Sequence, residues 1–125
     1  MQIKKFYLVF AFVSVSAIAL LYGVAPAWFA QTFLGVANIG VGCAHILRAI
    51  MGLYVALGLF WFYAAFDARY RRVAVLTTVI FCAGLVSGRL ISFAIDGLPP
   101  PLLLFYAALE FVLAPIGLWV YNRPD

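Results

Sequence analysis

From Phe6 to Ala44 the sequence carries no formal charge. Three more apolar runs follow, at 43–66, 73–95 and 102–121, separated only by "DARYRR" (67–72) and "DGLPPP" (96–101). About 20 consecutive apolar residues, coiled as a helix, match the hydrocarbon thickness of a bilayer. Lipid offers the backbone no hydrogen-bond partners, so each such run must satisfy its own N–H and C=O groups as a helix. The expected fold class is therefore all-α: an integral membrane four-helix bundle, one domain over residues 1–125. Composition supports this. The 125 residues are 68% hydrophobic and 10% charged, whereas soluble domains run at about half and about a quarter.

The first span reads as 6–24 and ends before Pro26. "APA" at 25–27 resembles a signal-peptide cleavage site, but the apolar run before it exceeds the roughly 7–15 residues usual for such a signal. A retained helix is expected. Residues 27–42 are too rich in glycine and small polar groups for a span. "PAWFAQTFLG" reads instead as a short interfacial segment between helices 1 and 2, with Trp28, Phe29 and Phe33 at headgroup level. The proline and glycine of "DGLPPP" stop one helix and start the next, and Pro115 predicts a kink in the last.

The basic residues set an orientation. With the N-terminus in the cytoplasm, Lys4, Lys5, Arg69, Arg71, Arg72 and Arg123 share the cytoplasmic side, and neither opposite connection carries Lys or Arg. That is a positive-inside pattern, and it predicts a multi-pass protein of the bacterial inner membrane with both termini cytoplasmic. The net charge of +4 is thereby mostly a topology signal. No nucleic-acid recognition module accompanies it, and no nucleic-acid partner is expected. No phosphate loop, dinucleotide fingerprint or Ser-His-Asp set is visible. His45 is the only histidine, while Cys43 and Cys82 fall at different depths, so neither a metal nor another cofactor is expected. The aromatic run 59–66, with Trp61, Phe62 and Tyr63, reads as an interfacial belt.

Two arginines stand apart from the topology signal. At about 1.5 Å of rise per residue, Arg48 lies roughly 9 Å, Arg89 roughly 10 Å and Glu110 roughly 13 Å below the outer helix ends. A charge facing lipid at such depth costs a few kcal/mol or more, so these side chains are expected to turn inward and meet. Asp96, seven residues after Arg89 with Ser92 between, shares its helix face. Tyr106 sits one turn before Glu110 and is placed to donate to it. Ala49, Gly52 and Ala56, and Gly84, Gly88 and Ser92, provide the small residues that membrane helices use for close packing.

The blocks "RAIMGLYVALGLFW" (48–61) and "GRLISFAIDGLP" (88–99), with Glu110, bear a further likeness. Over essentially its whole length the chain resembles a widespread bacterial family of small four-helix membrane proteins classed as a domain of unknown function. The resemblance implies the architecture and the importance of Arg48, Gly52, Tyr54, Arg89, Asp96 and Glu110. It implies no activity.

The leading expectation is a binding protein whose outer-leaflet polar cavity takes a lipid-like or hydrophobic small molecule. Arg48 and Arg89 would grip the head through forked hydrogen bonds, with Glu110 and Asp96 as acids and Tyr54 and Tyr106 as walls. Membrane lipids are the expected surroundings. Two alternatives stand beside it. One is a homo-oligomer or accessory subunit of a larger membrane complex, in which the charges form a structural clasp. The other is a cofactor-independent membrane enzyme in which Glu110 or Asp96 moves a proton.

Overall fold

A computed structural model describes residues 2–123, and the described residues form helices without strands. Four helices are long and apolar enough to cross a membrane: α1 (Gln2–Gly23), α3 (Gly40–Ala65), α4 (Ala68–Asp96) and α5 (Pro101–Tyr121). Between the first two lies α2, a single turn at Pro26–Phe29 that widens into a π turn at Ala30–Leu34. The chain is an all-α integral membrane helical bundle.

The boundaries follow local chemistry. Pro26 occupies the first turn of α2, where its missing N–H costs nothing. The π turn ends at Gly35, whose φ of 71° is the left-handed conformation in which glycine is least strained. "DARYRR" is a turn only at its first residue. The Asp67 carboxylate accepts from the Arg69 backbone N–H at 3.0 Å and so caps α4, which makes 68–72 the first helical turn rather than a loop. Gly97 ends α4, and Pro101 opens α5, which runs on through Pro115.

α1 is the inner wall. Leu8, Ala11, Val15, Ala19 and Tyr22 are all buried, a spacing of three and four that keeps one helical face turned inward. α1 packs mainly along α3, and α4 mainly along α5. The α1–α3 seam is antiparallel and closes at small residues. A Cβ on Gly58 would come within 3.1 Å of Val15 and 3.2 Å of Ser16, and Phe12 stacks on Phe62 at 4.7 Å. The other seams are pinned by hydrogen bonds. Tyr7 donates to the Leu113 carbonyl at 2.9 Å, and Trp61 donates from its indole to Thr77 at 3.1 Å. Trp61 is 1% exposed, so it belongs to the core rather than to the interfacial belt. Phe62 and Tyr63 do face outward.

The basic residues gather at one end. The Lys4 ammonium donates to the Arg123 carbonyl, Lys5 lies over Phe66 at 4.6 Å, and Arg72 lies over Tyr121 at 4.4 Å. At the opposite end α2 folds across the bundle. Trp28 points out as expected, but Phe29 is fully buried, edge-on to Tyr22 at 5.0 Å.

Candidate functional site

Arg89 on α4 and Glu110 on α5 meet. Nε donates to Oε1 at 3.1 Å and Nη2 to Oε2 at 3.3 Å, a two-pronged fork between side chains 19% and 9% exposed. The fork geometry matches a planar guanidinium to a planar carboxylate. It matches charge one to one and leaves Nη1 unengaged by Glu110.

Arg48 does not join them, and the expected two-arginine grip is corrected here. Its Nη1 donates to the Gly23 carbonyl at 3.1 Å, where it satisfies the last turn of α1 and the negative end of its dipole. The physical reason is the helix face. Met51 packs against Gly23, and Arg48, one turn earlier on α3, shares that face and meets the end of α1, whereas Leu47 and Ile50 line the side of α3 toward Arg89. Asp96 is also apart. It is exposed at the end of α4, where Ser92 donates to it at 2.7 Å. Tyr106, 3% exposed, does not bond Glu110. Its hydroxyl is buried with no partner among the described residues. Tyr54 is buried beside the fork.

Tyr22 holds these aromatic groups together. Its ring lies edge-on to Tyr54 at 6.1 Å and to Tyr106 at 6.0 Å, and its hydroxyl interacts with the Arg89 guanidinium. Sequence reasoning passed over it. The signal that would have found it is its place as the last residue of the inward stripe of α1, a polar ring where the stripe is otherwise apolar.

A cleft of about 420 Å³ opens between the outer halves of α3 and α4. Tyr22 and Tyr54 form one wall, Gly84, Gly88 and Arg89 the other, and Phe29 and Leu34 reach across from α2 and the π turn. Its size lies within the roughly 300–1,000 Å³ of small-molecule sites. Tyr54 also lies edge-on to Phe81 at 5.0 Å, and Phe81 in turn meets Trp61 at 5.5 Å. Behind Tyr54, against Glu110, lies a void of about 30 Å³ among Val15, Thr78 and Cys82. Gly84 and Gly88 do not pack a neighbouring helix: a Cβ on either would meet nothing within 4 Å. The spacing expected to join helices instead lines open space.

Among the described residues no three His, Cys, Asp or Glu side chains approach closely enough to hold a metal. Arginine, tyrosine and glycine dominate the polar side of the cleft, a set that can hold a head by hydrogen bonds and a chain by surface contact.

No curated protein and no solved structure matches the chain. A family model does match, over residues 3–121, and the chain belongs to that family, described as a domain of unknown function (DUF4345).

Proposed function

We propose that the protein binds a hydrophobic small molecule, lipid-like in having a polar end and an apolar body, in the cleft between α3 and α4. The observation that carries this reading is the coincidence of an open, mostly apolar cleft of about 420 Å³ with a buried fork at its wall. Interiors of folded chains are close-packed, and a helical pair that merely needed joining would close over its polar clasp. Six basic residues at the opposite end support a bacterial inner-membrane setting with cytoplasmic termini. In that setting the cleft faces the outer leaflet.

The fork itself favours a second reading, a structural clasp between α4 and α5, because both carboxylate oxygens are already occupied. One experiment separates the two. Replacing both partners by apolar residues of similar size leaves a fold near its original stability, so an Arg89→Leu, Glu110→Leu double variant remains testable. Native mass spectrometry of the detergent-purified protein should show a discrete small-molecule adduct on the wild type and none on the variant. Bare subunits in both would leave the clasp.

A further inference from the structure

The ligand's polar end can be narrowed by counting charge and donors around the cleft, an argument that rests on the binding reading above. The charge count comes first. Arg89 is the cleft's one ionised side chain, and Glu110 already neutralises it through two hydrogen bonds. Arg48, which would have supplied a surplus positive charge, is committed to Gly23 at the end of α1. An anionic head would leave a net negative charge in a poorly hydrated site, and a cationic head would face an arginine. Each carries a desolvation cost that no counter-charge offsets.

Donors come second. Arg89 Nη1 carries two N–H groups that Glu110 does not take, and Tyr22, whose hydroxyl already interacts with the guanidinium, and Tyr54 stand on the facing wall. Both Glu110 oxygens are engaged by Arg89, and Ser92 donates to Asp96. Guanidinium nitrogens cannot accept. The groups left over are mostly donors, and donors call for an acceptor.

The glycines give the third observation. A glycine within a helix is destabilising relative to alanine. At Gly58 close packing against Val15 and Ser16 explains it, but at Gly84 and Gly88, as at Gly52 of α3, nothing within the chain does, and of these Gly84 and Gly88 line the cleft. They are one turn apart beside Arg89, and together they make a smooth strip leading away from it along α4.

We propose that the ligand is an uncharged amphiphile whose head is a carbonyl-type acceptor, such as an ester or a quinone oxygen. The head takes hydrogen bonds from Arg89 Nη1 and the tyrosine hydroxyls, and the chain lies along the Gly84–Gly88 strip. Arg89 serves two roles here, one N–H pair for the ligand and two prongs for Glu110.

The test is a set of probes with one chain and four heads: methyl tetradecanoate, tetradecanoate, tetradecyltrimethylammonium and tetradecane. Each is titrated into the purified protein in a neutral detergent, with the rise in melting temperature as readout, since a ligand that binds only the folded state raises it. The ester should bind roughly tenfold more tightly than tetradecane, the gain expected for a hydrogen bond from a charged donor. It should also outbind both ions. In the Arg89→Leu, Glu110→Leu variant the ester's advantage over tetradecane should vanish. In the Gly84→Leu, Gly88→Leu variant, where each new Cβ meets no protein atom within 4 Å, all binding should be lost while the helical content stays unchanged.

Tighter binding of the carboxylate or of the ammonium would overturn the head assignment and leave the binding reading intact. Equal, weak effects of all four probes on every variant would overturn both. A wild-type dimer that the glycine variant abolishes would also overturn the proposal, because a second copy would then occupy the cleft.

Discussion

Two sets of glycines divide the molecule. Gly23, Gly58 and Gly117 lie where helices touch: a Cβ on Gly117 would come within 2.8 Å of Val79 and would overlap the Tyr7 hydroxyl. Gly84 and Gly88 lie where α3 and α4 part, and a Cβ there would meet nothing. The same residue type therefore serves opposite ends, close approach in the one region and a cleared wall in the other. The closed region holds the bundle together. The open region, with its fork and tyrosines, has the features of a site.

The largest expected effect comes from unbalancing the fork. Glu110→Ala leaves a half-buried guanidinium without its partner and should cost up to about 3 kcal/mol. The double change to leucine should restore most of that. Equilibrium unfolding in a denaturing detergent reads both, and equal losses in the single and double variants would show that the cost lies in packing rather than in charge. Next comes the closed region. Gly117→Ala pushes on Tyr7 and Val79 and should cost about 1–3 kcal/mol, the usual range for overpacking. Gly88→Ala, in the open region, should instead leave stability unchanged or raise it by up to about 1 kcal/mol. A similar loss at both positions would erase the distinction between the regions. Smaller again is Arg48→Ala. A cation on a helix C-terminus contributes about 0.3–1 kcal/mol, so this variant should lose no more than that and should retain any ligand. Loss of ligand would return Arg48 to the site.

The smallest effect is one of pH, at the basic end. Asp67 accepts from Arg69 at 3.0 Å through its side chain and also from Tyr63 at 2.9 Å. These partners, Arg69 first, hold its carboxyl down at about 2. A depressed carboxylate stabilises the fold at any pH above its ordinary range and loses that contribution as pH falls toward 2. Melting temperature should therefore decline between pH 4 and 2, and Asp67→Asn should flatten part of that decline. A variant with an unchanged acid limb would remove Asp67 as its cause.

The four spans were legible because each is an apolar run about as long as the hydrocarbon core is thick, a signal that local chemistry cannot mask. Arg89 and Glu110 were legible for a related reason: a charge at depth must find an opposite charge. Arg48 was misread because the face of α3 that it shares with Met51 turns toward the end of α1 and not toward Arg89. The register of α3 on α1 is set by Gly58 and Met51 packing, and no spacing within α3 encodes it. Trp61 and Phe29 were read as belt residues because an aromatic residue near a helix end reads the same whether it turns inward or outward. The role of Gly84 and Gly88 was hidden for a similar reason. Their spacing fits a helix contact and a cleared wall equally well, and only the neighbours distinguish them.

The most direct test of the contrast is native mass spectrometry of the wild type beside the Gly84→Leu, Gly88→Leu variant, both purified in the same detergent. The account predicts a discrete adduct on the wild type that is absent from the variant, with both proteins folded and monomeric. The same adduct on both, or a bare subunit in both, would contradict it.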